Sequence, residues 1–390
     1  MNIVVKTTTA CNFRCVYCSE GEREPAFLDE ALFRKLADEL PELLNRIGHR
    51  EVTFLWHGGE PCLWGRERLE RSMAYAKERL SGYEVSFAMQ SNGYLINESF
   101  LELFKRYNVR VGVSMDGYRE LHDAQRPALD GSPTFDRVLQ GVKALSDAGL
   151  CGGILLVINT ENPPDTAKLF SFIREAGVSA RINPLIACGR SAGRDTAASD
   201  SNYVRVLQDL FEKSMTADAD VAIDPLNGIL DAIITGCPVN ECSYSGACAR
   251  GIISLYADGL MGYCGRDSSA LSCAYGSLRN RTVSQLYFSD TAELMRQRDS
   301  YLKTHDCQGC PVWDLCHGGC AFNAMNSFGD LNRKTPSCEM RMELIRYLKT
   351  TGLCLLRERL ARQKREIRAC IRAGQALLSR LETMNAERDR

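Results

Sequence analysis

Short runs rich in apolar residues recur along the first half of the chain at Asn2 to Thr8, Glu51 to Trp56, Tyr83 to Met89, Val109 to Met115, Gly152 to Val157 and Ser179 to Pro184. Between them, near 29–47, 66–80, 97–107, 134–148 and 164–176, apolar positions return at helical spacing. Strand and helix in strict alternation predict βα units around a parallel sheet. Six strands predict an α/β fold, a partial or complete (β/α)6 barrel, with chemistry at the C-terminal ends of its strands. A further helical region follows at 201–235. From Cys237 to Cys338 the texture changes to Cys, Gly and short turns, the mark of a metal-organised region.

From Arg341 onward Pro vanishes, Gly occurs only at 352 and 374, and apolar residues at 360, 367, 371, 378 and 381 trace a helix seam. The expected division is therefore 1–236 for the barrel, 237–340 for the cysteine-rich region and 341–390 for a helical extension. Thr351 and Gly352 should break that extension into a shorter and a longer helix. Leu360, Ile367, Ile371, Leu378 and Leu381 should face protein, with Gly374 letting a neighbour approach. Arg362, Arg365, Arg368, Arg372 and Arg380 should then lie on the flank or far side, in solvent.

Composition is that of a globular protein, 45% apolar and 25% charged, with no run long enough to span a membrane and no secretory start. A soluble, cytoplasmic protein is expected, with no membrane partner. The eighteen cysteines change the picture. A reducing compartment gives a disulfide framework no purpose, so metal binding becomes the leading explanation. The chain's formal charge is -1, yet residues 341–390 hold 13 Lys or Arg against 6 Asp or Glu, which leaves the rest at -8. No RNA-binding module accompanies this basic tail, so nucleic acid is not the expected partner.

Cys11, Cys15 and Cys18, in CNFRCVYC, follow the first strand directly. Three thiolates in one loop suit a 4Fe-4S cluster with one iron left open for a small chelating ligand. Structural zinc, the alternative, wants four protein ligands, and no fourth Cys or His lies nearby in the sequence. Tyr17 precedes the last of these cysteines, and Gly58, Gly59, Glu60 and Pro61 follow the second strand. Gln90, Asn92 and Gly93 follow the third, SMDG at 114–117 ends the fourth, and HDAQR occupies 122–126.

This ordered series resembles the radical S-adenosylmethionine (SAM) superfamily. The resemblance implies a partial (β/α)6 TIM-like barrel and reductive cleavage of SAM to a 5′-deoxyadenosyl radical. It also implies that Gly58, Gly59 and Glu60 receive the SAM amino group, that Ser114 and Arg126 meet its ribose and carboxylate, and that Leu185 touches the adenine. Tyr17, Gln90 and Asn92 belong to the same site.

Downstream stand Cys242, Cys248, Gly259-x4-Cys264, then Cys307, Cys310, Cys316 and Cys320, and finally Cys338. These spacings resemble the SPASM extension of peptide-modifying radical SAM enzymes. By that resemblance one auxiliary 4Fe-4S cluster uses Cys242, Cys248, Cys264 and Cys320, and the other Cys307, Cys310, Cys316 and Cys338, giving three clusters in all. A pair of zinc sites is the competing reading of eight cysteines.

The implied activity is oxidative maturation of a ribosomal peptide or protein, such as a thioether or carbon–carbon cross-link, with flavodoxin or ferredoxin as electron donor. Formylglycine formation of the anaerobic sulfatase type is the alternative. In that subfamily an Asp follows the G-x4-C cysteine as base, whereas Gly265 stands there and Asp267 comes two later. A small-molecule dehydrogenase or epimerase is a further option. Asp116 and Asp267 are candidate bases and Cys237 a candidate hydrogen-atom donor.

Overall fold

The computed structural model describes the chain except residues 22–23, 160–162, 195–196, 218–219, 267–273 and 389–390, and except the side chains of 197–200 and 376–390. Six parallel strands lie side by side in chain order: β1 (Asn2–Lys6), β2 (Glu51–His57), β3 (Glu84–Ser91), β4 (Arg110–Ser114), β5 (Cys151–Ile158) and β6 (Ala180–Pro184). The returns are made by α1 (Glu30–Ile47), α2 (Arg66–Arg79), α3 (Glu98–Tyr107), a short α4 (Arg119–Gln125), α5 (Phe135–Asp147) and α6 (Thr166–Ala176). Each strand and helix expected from the pattern in this half is present to within two residues.

Alternation along β2 explains why the layers form. Val52, Phe54 and Trp56 are buried, with Phe54 and Trp56 stacked among Phe33 of α1, Trp64 and Phe87 of β3 at ring separations of 5.2 to 6.5 Å. Burying each such ring contributes roughly 1.5–3 kcal/mol. The intervening residues of the strand are less covered. That second face is the interior in which the site is built.

The sheet does not stop where the barrel was expected to end. β7 (Ile223–Asp224) adds to β6, while β8 (Ile252–Leu255) pairs in parallel with β1, and β9 (Leu260–Gly262) and β10 (Gly276–Ser277) continue antiparallel. The ten-stranded order β10-β9-β8-β1-β2-β3-β4-β5-β6-β7 is linear. Residue 236 is therefore no break in the sheet: the cysteine-rich region covers the free edge of β1, whose main-chain groups need partners. The four-residue run IISL was too short to stand out among cysteines and glycines.

The helices of the second half are α7 (Ala197–Thr216), α8 (Leu226–Thr235), α9 (Val283–Tyr287), α10 (Asp290–Thr304), α11 (Trp313–Cys316), α12 (Ala321–Phe328), α13 (Cys338–Tyr347) and α14 (Leu353–Arg388). None among the described residues is long and apolar enough to cross a membrane.

The tail departs from expectation in three ways. A π-helical turn over Leu348–Gly352 carries α13 into α14 without a break; Gly352 is buried, and a Cβ added there would lie 3.5 Å from Phe211 of α7. Arg359 Nη1 and Arg362 Nη2 donate to Ser214 O and Met215 O at 3.0 Å each, and Arg359 also pairs with Asp220 at 2.5 Å. These cations meet the unpaired carbonyls at the C-terminus of α7, so Arg362 is not left to solvent. The apolar seam itself is uncovered: Leu360, Ile367 and Ile371 are 54%, 60% and 55% exposed, and nothing lies within 4 Å of a Cβ added at Gly374. Leu378, Arg380 and Leu381 fall among the side chains outside the description. Seam spacing establishes that one face is apolar, not what covers it.

Replacing Ile367 and Ile371 with Gln should change the unfolding free energy by no more than about 0.5 kcal/mol, the range for exposed positions. A loss above about 2 kcal/mol in urea titration would show that the seam is packed.

Candidate active site

The chain leaving β1 runs against the turn that follows β2. Gly59 N donates to Thr8 O at 2.8 Å and Glu60 N to Ala10 O at 2.9 Å. A Cβ at Gly58 would stand 2.4 Å from Thr8 O, and one at Gly59 2.2 Å from Ala10 O. Only glycine permits this approach, which sets the start of the loop holding Cys11, Cys15 and Cys18, all half-buried.

Donors surround the sulfurs. Phe13 N lies 3.4 Å and Asn92 Nδ2 4.0 Å from Cys11 Sγ, and Arg126 Nη1 lies 3.9 Å from Cys15 Sγ. Burial pushes the thiols up, Cys11 to about 12 and Cys15 to about 11, with Arg126 opposing the rise at Cys15. Among the described residues no three His, Cys, Asp or Glu side chains converge as a single metal ion requires. A cubane cluster carries its own iron and sulfide and spaces its thiolates more widely. Three thiols in one loop with donors aimed at sulfur fit a 4Fe-4S group with one open iron.

A second clasp on this loop was not foreseen from the sequence. Arg190 N donates to Cys18 O at 3.0 Å, and a Cβ at Gly189 would lie 2.2 Å from that oxygen. The available signal was a glycine just beyond the sixth strand.

Glu60 does not open into the interior. Its carboxylate is fully buried and accepts from Cys62 N at 3.1 Å, Ser91 Oγ at 2.9 Å and Asn92 N at 2.7 Å. Burial raises its pKa, and those donors act against the rise. It ties the turn after β2 to that after β3, so an ammonium group would be met by main chain, not by this side chain. Asn92 Nδ2 in turn holds Asn12 Oδ1 at 2.7 Å, and Gln90 Nε2 holds Ser114 Oγ at 2.9 Å.

Asp116 is likewise enclosed, which removes it as a candidate base. Its Oδ2 pairs with Arg126 Nε at 3.0 Å and accepts from Tyr17 OH and Gln125 Nε2, while Oδ1 accepts from Val157 N at 3.1 Å. Arg126 also lies over the Tyr17 ring at 5.2 Å. His122 Nδ1 accepts from Asp116 N at 3.2 Å, so its Nε2 carries the proton towards Thr134 Oγ1 at 3.1 Å; that hydroxyl donates to Arg126 O at 2.7 Å. Asp123 Oδ1 accepts from Thr134 N and Phe135 N at 2.8 Å each, closing the start of α5. HDAQR is thus a cage that fixes Arg126 beside Cys15.

At the inner face, Lys6 pairs with Glu20. His57 is held neutral, its pKa pulled down to about 3 by burial and then by Lys6, and its Nδ1 accepts from Gly58 N at 2.7 Å.

The cysteine-rich region reaches the same interior. Gly265 lies against β1, where an added Cβ would be 2.8 Å from Val4 Cγ1. Arg266 N faces Cys264 Sγ at 3.4 Å, and Tyr256 OH donates to Cys264 O. Burial pushes Cys248 up, with the thiols of Cys264, Cys320 and Cys242 adding to it; Cys307 is raised to about 11 by burial and then by Cys310, Cys316 and Cys338. The thiols that bear on Cys248 are thus Cys242, Cys264 and Cys320, and those that bear on Cys307 are Cys310, Cys316 and Cys338. His317, Gly318 and Gly319, at φ 51°, 71° and 74°, turn the chain between Cys316 and Cys320. Cys188, raised to about 11 by burial, senses both Cys18 and Cys320.

Residues 5–173 match the family model described as the Radical SAM superfamily. The chain carries a radical SAM domain. The chain is 26% identical over 339 residues to the cysteine-type anaerobic sulfatase-maturating enzyme of Clostridium perfringens (strain 13 / Type A), covering 82% of this chain and 88% of that one. It is 25% identical over 322 residues to the serine-type enzyme of Klebsiella aerogenes, covering 80% and 77%. A solved structure described as native anSMEcpe with bound AdoMet shares the fold at a TM-score of 0.77 and 20% identity, covering 92% of this chain and 99% of that one.

Ser114 and Leu185 stand at the ends of β4 and β6, Leu185 buried. Cys237 is exposed on a surface loop, where a hydrogen-atom donor would be open to water, and nothing brings it to the interior. Asp267 lies outside the described residues.

Burial lowers the His122 pKa to about 3, with Arg126 opposing protonation further. The unfolded chain then binds a proton that the folded chain refuses. Stability from this residue is full above the ordinary imidazole value of about 6.5 and is lost as pH falls below it, by about 1.4 kcal/mol per pH unit. Nitrogen chemical shifts of labelled histidine should show His122 neutral and Nε2-protonated at pH 5. Titration near 6.5 would mean that the cage is open.

Proposed function

We propose that this radical SAM enzyme oxidatively matures a peptide or protein, with a SPASM-type region that holds two auxiliary 4Fe-4S clusters as electron acceptors. The observation that carries the reading is the shared interior: the Cys11–Cys18 loop and the Cys264–Arg266 segment both border the inner face of β1, with Gly265 against Val4. An electron released by a substrate held there has a short path to the auxiliary thiols. Similarity to maturating enzymes over four-fifths of the chain, and a structural neighbour with bound Cp18Cys peptide, support a peptide substrate.

With SAM bound, the first cluster supplies reductive carbon–sulfur cleavage and a 5′-deoxyadenosyl radical. The chain's own residues orient the partners. Arg126, fixed by Asp116 and Tyr17, presents its guanidinium beside Cys15 for the SAM carboxylate, and Gln90 and Ser114 form a hydrogen-bonded pair for the ribose. Cys242, Cys248, Cys264 and Cys320, and Cys307, Cys310, Cys316 and Cys338, would hold clusters able to take the one electron that a substrate radical must lose, with its proton passing to a base as the new bond to a neighbouring group closes. Flavodoxin or ferredoxin would supply the first electron.

Formylglycine formation is the second reading, favoured by the names of the relatives. Against it stands position 265: a glycine occupies the place where that subfamily carries its Asp base, and a Cβ added there would meet Val4 Cγ1 at 2.8 Å.

Anaerobic reconstitution should give about twelve irons per chain, and replacing Cys11, Cys15 and Cys18 with Ala should remove about four and abolish 5′-deoxyadenosine formation. Turnover surviving that change would refute the SAM site. A cross-linked product loses two hydrogens, about 2 Da, and carries no aldehyde; a hydrazide-reactive product would establish formylglycine instead.

A further inference from the structure

Arg298 on α10 is 6% exposed, and among the described residues no carboxylate pairs with it. Its guanidinium is spent on main-chain carbonyls: Leu331 O at 2.7 Å, Gly319 O and Arg333 O at 2.9 Å, and Gly318 O at 3.4 Å. Gly318 and Gly319 belong to the turn that parts Cys316 from Cys320, and Leu331 and Arg333 to the loop leading to Cys338. A Cβ at Gly318 would lie 3.5 Å from Cys307 Sγ. The residue thus stands between the two cysteine fours.

Two further guanidiniums border the region. Arg266 lines a recess with Cys320, Glu241 and Arg341, and Arg341, 5% exposed, donates to Ser243 O at 3.0 Å and lies 4.0 Å over the Tyr244 ring. Carbonyls solvate such a cation but do not neutralise it, and a buried charge left uncompensated costs several kcal/mol. Burial pulls the Arg298 pKa below its usual value, and the thiols of Cys320, Cys248 and Cys307 push it back. Those thiols belong to both groups.

We propose that Arg298 is the fixed charge that raises the reduction potential of both auxiliary clusters, and that Arg266 does the same for the cluster on Cys242, Cys248, Cys264 and Cys320 alone. This rests on the two-auxiliary-cluster reading. Cluster potential follows net charge and hydrogen bonding around the sulfurs, and a positive charge nearby stabilises the reduced, more anionic state. The effect favours the step in which a substrate radical loses one electron and an oxidised auxiliary cluster gains it. Both arginines are positioning residues and touch no substrate in this role.

The test is an anaerobic redox titration of the full-length reconstituted protein without substrate, followed by electron paramagnetic resonance, with iron measured in parallel. Arg298→Gln should lower the reduced-to-oxidised ratio of both auxiliary clusters about tenfold or more at fixed poise, a shift of about 59 mV for one electron, and leave the first cluster unmoved. Arg266→Gln should shift one auxiliary cluster only. If Arg298→Gln fails to retain auxiliary iron, Arg266→Gln decides, because among the described residues no main-chain carbonyl accepts from its side chain. Full iron with unchanged potentials, or an equal shift of all three clusters, overturns the proposal. Unsubstituted protein with fewer than three cluster signals overturns the underlying reading, a failure distinct from unmoved potentials.

Discussion

A carboxylate shut away from water organises the SAM end of this protein. Asp116 is fully buried and receives Tyr17, Gln125, Arg126 and the main chain of β5. Burial alone raises its pKa, and Arg126 is the largest influence against that rise. Removing one partner of such a pair typically costs about 3–5 kcal/mol, because the other charge is left buried alone. The pair therefore does more than join two side chains. It fixes the aromatic ring before Cys18 and the cation beside Cys15, and through His122 and Thr134 it fixes the entry to α5. Glu60 plays the matching part on the other flank, joining the turns after β2 and β3.

The auxiliary region follows a different electrostatic rule. Around the SAM loop the buried charges of Asp116 and Lys6 have opposite partners, Arg126 and Glu20. Around Cys320, Arg298 is held by main-chain carbonyls and Arg341 lies over a ring, and Arg266 and Arg341 share a recess with the single carboxylate Glu241. Protein alone leaves that arrangement positive, and anionic iron-sulfur groups would balance it. The covalent path between the two halves is long, yet β8 seated on β1 makes them one sheet. That pairing places Gly265 against Val4 and brings the second set of thiols to the interior served by the first.

Much of this was legible in the residues. The βα alternation located six strands and five helices because a strand and an amphipathic helix impose different periods on where apolar side chains fall. Cys11, Cys15 and Cys18 are close in sequence and so inevitably share a loop. Gly58 and Gly59 were readable as sites of close approach, though what approaches them is the cysteine loop's own main chain. Asp116 and Glu60 were misjudged for one reason: a sequence shows a carboxylate, not whether water reaches it. The seam of α14 failed likewise, since periodicity marks a face without naming its cover.

By itself, then, the sequence determined the elements and the order of the three cysteines in the first loop, all set by neighbours a few residues apart. Only the tertiary structure decided which carboxylates are shut away from water and that β8 closes on β1. Those outcomes depend on residues tens to hundreds of positions apart, whose burial and charge are defined only once the chain has packed.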